Sequence, residues 1–277
     1  MRSAMYYLAV LRLAAMCGTP AMVYAQGVGP LRRRVTRVLT GRAVNGVQCV
    51  TVRDAASAAL LREIGVRGPE IEVVADPAFA LTPEPASAAR SLREGGVSPG
   101  TPVIGIALRP WREGSPDAQH WAEMVCTIAR RSSARILFLP MQPPRDTELA
   151  ARLATMVPGA GIVSEPLPPR ASLGLVGALS GLVAMRLHAL IFGAMAGTPM
   201  LAIGYDPKVR ALMGALGEES RCLDLTGFDP DVAASSFLTT LDEGASLRDR
   251  LRAQAAVMRE RALGAVDRAI AIAGRGR

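Results

Sequence analysis

The tripeptide Gly-Thr-Pro occurs three times, at 18–20, 100–102 and 197–199. The first and third copies each divide an apolar stretch without strong breakers from a short apolar run. Glycine suits a helix C-cap and proline cannot continue a helix. Both copies therefore read as helix, break, strand: Ala4 to Cys17 then Ala21 to Ala25, and Ala189 to Ala196 then Met200 to Ile203. Helices feeding short buried strands are the repeating unit of parallel α/β sheets. The first copy also mimics a signal peptide, with an early arginine, an apolar stretch and an Ala-rich end. Arg12 interrupts that run, and the run is too short to span a bilayer.

The same alternation continues along the chain. Strands are expected at Gly46–Val52, Ile71–Val74, Val103–Leu108, Arg135–Leu139, Gly161–Val163 and Gly181–Ala184. Helices are expected at Leu31–Arg42 with Val35, Val38 and Leu39 inward, and at Ser57–Ile64, Asp117–Arg131, Thr147–Met156 and Ala171–Leu179. Asp146 is placed to cap the helix that follows it. A helix–turn–helix tail runs from Asp229, with Ala245–Ala273 its long second arm. Composition shifts in the Pro-, Ala-, Ser- and Gly-rich stretch 82–100, which divides residues 1–90 from 91–277. The expected fold is α/β with two Rossmann-like domains.

Polar residues gather where the strands end: Gln26, Gly27 and Gly29; Arg53 and Asp54; Arg109 and Trp111; Arg186 and His188; Asp206 and Lys208. In open α/β sheets ligands bind outside the carboxyl ends of the strands. Two such domains facing one another would make a cleft. Arg186 and His188 stand before a helix, where free N–H groups favour anions. Lys208 is the one lysine among 32 basic residues. Two cations, a histidine and a helix N-terminus together point to an anionic substrate. The plainer readings are a core histidine for His188, a surface ion pair for Arg186, turn or cap residues for Asp54 and Asp206, and a packing side chain for Trp111.

The net charge of +8 raises nucleic acid or a membrane surface as partners. The arginines are spread out, however, and no nucleic-acid motif is present, so no nucleic-acid partner is expected. The four cysteines are far apart, without a CxxC pair, and the two histidines are His120 and His188. That inventory argues against a zinc site, and no metal is expected. Single cysteines in apolar segments are usually small core residues, and this usage suits a reducing, cytoplasmic setting. His120 receives no role.

The segments QGVGPL (26–31), TVRDAASAALLREIGV (51–66), ADPAFAL (75–81), IGIALRPW (104–111), LPMQPPRD (139–146) and MRLHALIFGAMAGTPMLAIGYDPKVRAL (185–212) are similar to the polysaccharide pyruvyl transferase family. The resemblance is to its bacterial cell-wall branch, known as CsaB. It covers the chain from Met1 to about residue 217, and the last segment is the long and specific one. It implies a fold similar to GT-B glycosyltransferases and transfer of a pyruvyl group from phosphoenolpyruvate to a sugar hydroxyl pair, giving a cyclic ketal. No cofactor is implied beyond that donor. The implied acceptor is a sugar or lipid-linked glycan, with peripheral membrane contact through it. The implied phosphoenolpyruvate contacts are Arg186, His188 and Lys208, with Arg53 from the first domain and Arg32 the weaker match. Gln26, Gly27, Gly29, Asp54, Arg109, Trp111 and Asp206 are the remaining substrate-side candidates. The family's N-terminal GYYGxxNxGDE segment is not found, so the first domain is expected to be incomplete, from a misplaced start or a shortened paralogue. The rivals are a GT-B nucleotide-sugar glycosyltransferase and an inactive binding module.

Overall fold

The structure is a computed structural model and describes residues 2–111 and 116–274. It divides into two compact units, Met1–Ala80 with Val257–Arg277, and Leu81–Ala256. The division thus falls upstream of residue 90, and the end of the C-terminal arm groups with the first unit.

In the first unit, helix α1 (Arg2–Met16) leads into strand β1 (Met22–Gln26), α2 (Arg34–Val44), β2 (Cys49–Val52), α3 (Ala55–Glu63) and β3 (Ile71–Val73). The strands form a parallel sheet in the order β1-β2-β3. Val50, Val52, Ala58 and Leu61 are its buried centre, and Leu11 of α1 packs against them. The β1–β2 register shifts between Val23 and Gln26. There Ala25 takes φ +44°, uncommon for a residue with a Cβ. Its N–H donates to the buried Thr51 hydroxyl at 2.8 Å, which holds the kink just before the strand ends at Gln26.

The second unit contains α4 (Pro85–Glu94), β4 (Val103–Ala107), α5 (Ala118–Ser132), β5 (Arg135–Phe138), α6 (Arg145–Met156), β6 (Gly161–Ile162), α7 (Pro169–Gly177), β7 (Gly181–Ala184), α8 (Leu187–Ala196), β8 (Met200–Gly204), α9 (Pro207–Ala215), β9 (Cys222–Asp224), α10 (Pro230–Asp242) and the start of α11 (Gly244–Gly274). Its sheet is parallel, in the order β6-β5-β4-β7-β8-β9. The chain begins at the centre with β4, winds outward to β6, returns to β7 and winds the other way. The winding direction reverses between β4 and β7, and such a reversal opens a crevice at the strands' carboxyl ends. Every residue of β4 and β7 is buried, as strands covered on both faces require. Ile104 and Ile106 of β4 pack with Trp121, Val125 and Ile128 of α5 and Phe237 of α10.

The Gly-Thr-Pro breaks at 18–20 and 197–199 adopt one geometry. Gly197 sits at φ +71° and Gly18 at +67°. Thr198 N–H returns to the Gly193 carbonyl at 2.8 Å, and Thr19 N–H to that of Ala14 at 2.9 Å. The buried Thr198 hydroxyl adds a bond to the Val176 carbonyl, tying α8 to α7. Helices α4 and α7 approach closely, and a Cβ at Gly174 would lie 2.5 Å from the Glu84 carbonyl oxygen. Gly174→Ala is therefore expected to cost about 1–3 kcal/mol, read as a lower urea midpoint. A raised midpoint, as alanine's helix propensity alone would give, contradicts that packing.

The structure corrects several expectations. Val35 and Val38 of α2 are exposed, 69% and 43%, rather than inward. Cys17 is exposed and only Cys222 is fully buried, although all four thiols are unpaired. Residues 205–208 read from the sequence as a loop at the carboxyl end of the strand Met200–Ile203, yet they hold the start of α9, with Pro207 in its first turn. Asp146 is not the cap of α6, which begins at Arg145 after Pro144.

Candidate functional site

The loops after β5, β4, β7 and β8 lie side by side at one edge of the larger sheet, since these strands are neighbours. Arg186 is the N-cap of α8, and no side chain caps that helix. The Arg186 guanidinium reaches past β4 to the loop after β5. Its Nε donates to Asp146 Oδ2 at 2.8 Å, its Nη2 to Asp146 Oδ1, and its Nη1 to Gln142 Oε1 at 2.8 Å. Asp146 is wholly buried and accepts also from the Met141 and Gln142 N–H groups, at 3.2 and 2.9 Å. A guanidinium carries five N–H donors; three are engaged here, which leaves two for a ligand. The charge of Arg186 is thus already balanced, and its first structural task is to tie the β7–α8 turn to the β5 loop.

Arg109, after β4, reaches the other way, past β7, to the loop after β8. Its Nη1 donates to the Tyr205 hydroxyl at 3.2 Å, and its guanidinium carbon lies 4.9 Å from the ring centres of both Tyr205 and Trp111. The two rings meet edge-on at 4.6 Å. Arg109 Nε is buried with no hydrogen-bond partner among the described residues. Such an orphan donor costs about 1–3 kcal/mol until something accepts from it. Arg109 and Arg186 therefore flank the point where the winding reverses, each anchored across it.

His188 is exposed, in the first turn of α8 rather than before the helix, with its ring 6.4 Å from that of Phe192. Lys208 occupies the first turn of α9. Its Nζ lies 3.6 Å from Asp206 Oδ2 and 5.6 Å from the centre of the Tyr205 ring. Asp206 is the N-cap of α9, accepting from Lys208 N–H at 3.1 Å. Arg109, Trp111, Arg186, His188, Asp206 and Lys208 are in this way brought to one edge of one sheet. Tyr205, Asp146 and Gln142 join them; from the sequence Asp146 is read as a helix cap and none of the three as a site residue.

The remaining candidates belong to the first unit. Arg53, after β2, pairs with Asp76 at 2.9 Å and approaches Asp54 at 3.9 Å. Its guanidinium lies against the backbone of Gly27, where a Cβ would come within 2.5 Å of Nε. Gly27 is therefore a seat for Arg53. Asp54 caps α3, accepting from Ser57 N–H at 2.7 Å. The Ser57 hydroxyl accepts from Val28 N–H at 2.8 Å and so holds the turn. Gly29, at φ +121°, requires glycine, and Gln26 is exposed at the end of β1. Arg32 is exposed before α2. Among the described residues no group of three or more metal-ligating side chains occurs.

Away from these loops, His120 Nδ1 meets Asp117 Oδ1 at 2.8 Å on the outer face of α5. Hydrogen bonding to Asp117 raises the His120 pKa, and hydrogen bonding to His120 lowers that of Asp117. The raised histidine contributes below its ordinary pKa of about 6.5 and loses that contribution as pH rises through the folded value. The depressed aspartate contributes above its ordinary value and loses that as pH falls through the folded one. The pair is thus fully formed between the two titrations. An NMR titration should place the His120 ring midpoint above about 6.5, and Asp117→Asn should bring it down. A midpoint indifferent to Asp117→Asn contradicts the contact.

Comparison with curated proteins found no match. Among solved structures, the chain resembles Anabaena Alr3699/HepE in complex with UDP, with TM-score 0.66 and 10% identity, over 97% of this chain and 76% of that one. It resembles UDP-GlcNAc 2-epimerase from Neisseria meningitidis bound to UDP-GlcNAc, with TM-score 0.63 and 12% identity, over 95% and 73%. The 2-epimerase from Methanocaldococcus jannaschii is similar at TM-score 0.60 and 12% identity, over 85% and 66%. At such identities the likeness establishes the fold, that of GT-B-like Rossmann-type glycosyltransferases and epimerases. The family model for polysaccharide pyruvyl transferase matches residues 1–207, and the chain belongs to that family.

Proposed function

We propose that the protein transfers a pyruvyl group from phosphoenolpyruvate to two hydroxyls of a sugar in a polysaccharide or lipid-linked glycan, forming a cyclic ketal. The observation that carries this reading is the convergence of Arg109, Arg186, His188 and Lys208 on adjacent strand ends, beside a helix start that no side chain caps. Phosphoenolpyruvate brings a carboxylate and a phosphate. Guanidinium groups suit bidentate contact with either, and lysine suits a point contact. The orphan Nε of Arg109 and the spare N–H groups of Arg186 are donors awaiting anionic oxygens. Lys208 adds the mobile charge.

We assign His188 the proton delivered to the methylene carbon. One sugar hydroxyl then adds to the adjacent carbon and releases its proton. Phosphate departs with its bridging oxygen. The second hydroxyl closes the ketal, and its proton goes to the departing phosphate. Donor and diol thus give ketal and phosphate, with no oxidant, reductant or cofactor. Asp206 spends one carboxylate oxygen on capping a helix, and the other oxygen faces Lys208. It can take a hydroxyl proton only if that pairing loosens.

A nucleotide-sugar reading is favoured by one observation, the UDP and UDP-GlcNAc held by the similar structures. Thermal denaturation with phosphoenolpyruvate and, separately, with UDP distinguishes the two. The proposal expects a raised melting temperature with phosphoenolpyruvate; a rise with UDP alone overturns it.

A further inference from the structure

The charge of this chain is not evenly placed. Residues 1–53 contain eight arginines and neither aspartate nor glutamate. Removing those eight from the 32 basic residues leaves 24 against 24 acidic ones, so the entire net charge of +8 lies ahead of Asp54. Much of that segment is α1 and α2, which pack on one another in the first unit.

Helix α1 turns Leu8, Leu11 and Ala14 toward the protein, and Leu11 joins the core. At 100° per residue, Met5, Tyr6, Val10, Leu13 and Met16 fall on the opposite arc. They are 43–77% exposed, which makes a continuous apolar stripe with no acidic neighbour in the helix. Val35 and Val38 of α2 are exposed too. Arg12, Arg32 and Arg34 are exposed and form no ion pair among the described residues.

We propose that the α1–α2 face of the first unit docks on an anionic lipid bilayer. Aliphatic side chains would enter the headgroup boundary, Tyr6 would sit at the interface, and the arginines would meet lipid phosphates. Charge complementarity selects this occupant. A second copy would bring together two arginine-bearing faces whose helices α1 and α2 hold no carboxylate side chain. Nucleic acid would satisfy the arginines and leave the stripe of Met5, Val10, Leu13 and Met16 without an apolar partner. Among the described residues no helix is long and apolar enough to cross a bilayer. The helix therefore lies along the surface. This inference does not depend on the proposed reaction.

The test is vesicle flotation of the full chain with phosphatidylcholine alone and with phosphatidylcholine containing phosphatidylglycerol. The wild type should float only with the anionic vesicles. It should be released when salt is raised from about 0.1 M to 1 M, which shortens the screening length from about 10 to 3 Å. Arg12→Glu/Arg34→Glu should cut partitioning at least about tenfold. Val10→Ser/Leu13→Ser should cut it about tenfold with the charge unchanged. All four positions are exposed, so melting temperatures should hold. Equal flotation with neutral vesicles, or none with either, overturns the proposal. So does duplex DNA binding lost in the arginine variant but kept in the serine variant. A dimer that the serine variant splits, with no vesicle binding, overturns it as well.

Discussion

Asp146→Ala is expected to destabilise the protein by about 3–5 kcal/mol, more than any other single truncation at the strand ends. The carboxylate is wholly buried and accepts from two backbone N–H groups and, bidentately, from Arg186, whose side chain is 13% exposed. Removing it strands a nearly buried guanidinium and two N–H donors at once. For a domain of this size the melting temperature should fall by about 10 °C. Arg186→Ala should produce a similar loss, because it strands Asp146 in turn. The double variant should cost clearly less than the two single losses together, since the charges are removed as a pair. Additive losses would show that the two side chains act independently. Asp146→Asn, which keeps the shape and removes the charge, should fall between wild type and Asp146→Ala.

Lys208→Ala is expected to do the opposite: little to stability and much to ligand binding. Its pairing with Asp206, at 3.6 Å and about one-third exposed, is of the kind that contributes at most about 1 kcal/mol. A charge-assisted bond to a phosphate or carboxylate contributes about 1.5–3 kcal/mol. Calorimetric affinity for phosphoenolpyruvate should therefore drop tenfold to a hundredfold, with the melting temperature of the free protein nearly unchanged. His188→Ala should leave that affinity closer to wild type and lower the turnover, because its assigned work is proton delivery. If the lysine variant binds as the wild type does, Lys208 is not a donor contact. If the histidine variant loses affinity and keeps turnover, the assignments of the two residues are exchanged.

These contrasting expectations separate anchoring from binding, and the sequence alone could not. The fold was legible because its signals are local. Two Gly-Thr-Pro breaks, runs such as Val103–Ala107 and Gly181–Ala184, and caps such as Asp54 each act within a few residues. The strand ends that carry Arg109, Arg186 and Lys208 followed from the same pattern. Partners across the sheet did not. Arg186 finds Asp146 because β4 lies between β7 and β5, an order that no local signal encodes. Arg109 finds Tyr205 in the same way, across β7. The start of α9 was readable, since aspartate followed by proline is an N-cap and first-turn pair, but the loop reading hid it. Val35 and Val38 were set inward by helical period alone. Period fixes which residues share a face and leaves open which face meets the core.

The exposed valines and the stripe on α1 belong to the same unit as Arg53, whose seat on Gly27 makes that glycine a packing requirement. The larger sheet contributes the cations at the β4–β7 reversal. In the proposed reaction these cations receive phosphoenolpyruvate and direct its pyruvyl group to a sugar. That reaction is tested by incubating the purified protein with phosphoenolpyruvate and a β-N-acetylmannosaminyl acceptor, lipid-linked or aryl, and measuring phosphate together with the product glycan. Acceptor-dependent phosphate release is expected in step with an acid-labile ketal, both lost in His188→Ala. A protein that binds UDP or a nucleotide sugar, ignores phosphoenolpyruvate and releases no phosphate with any glycan acceptor would contradict it.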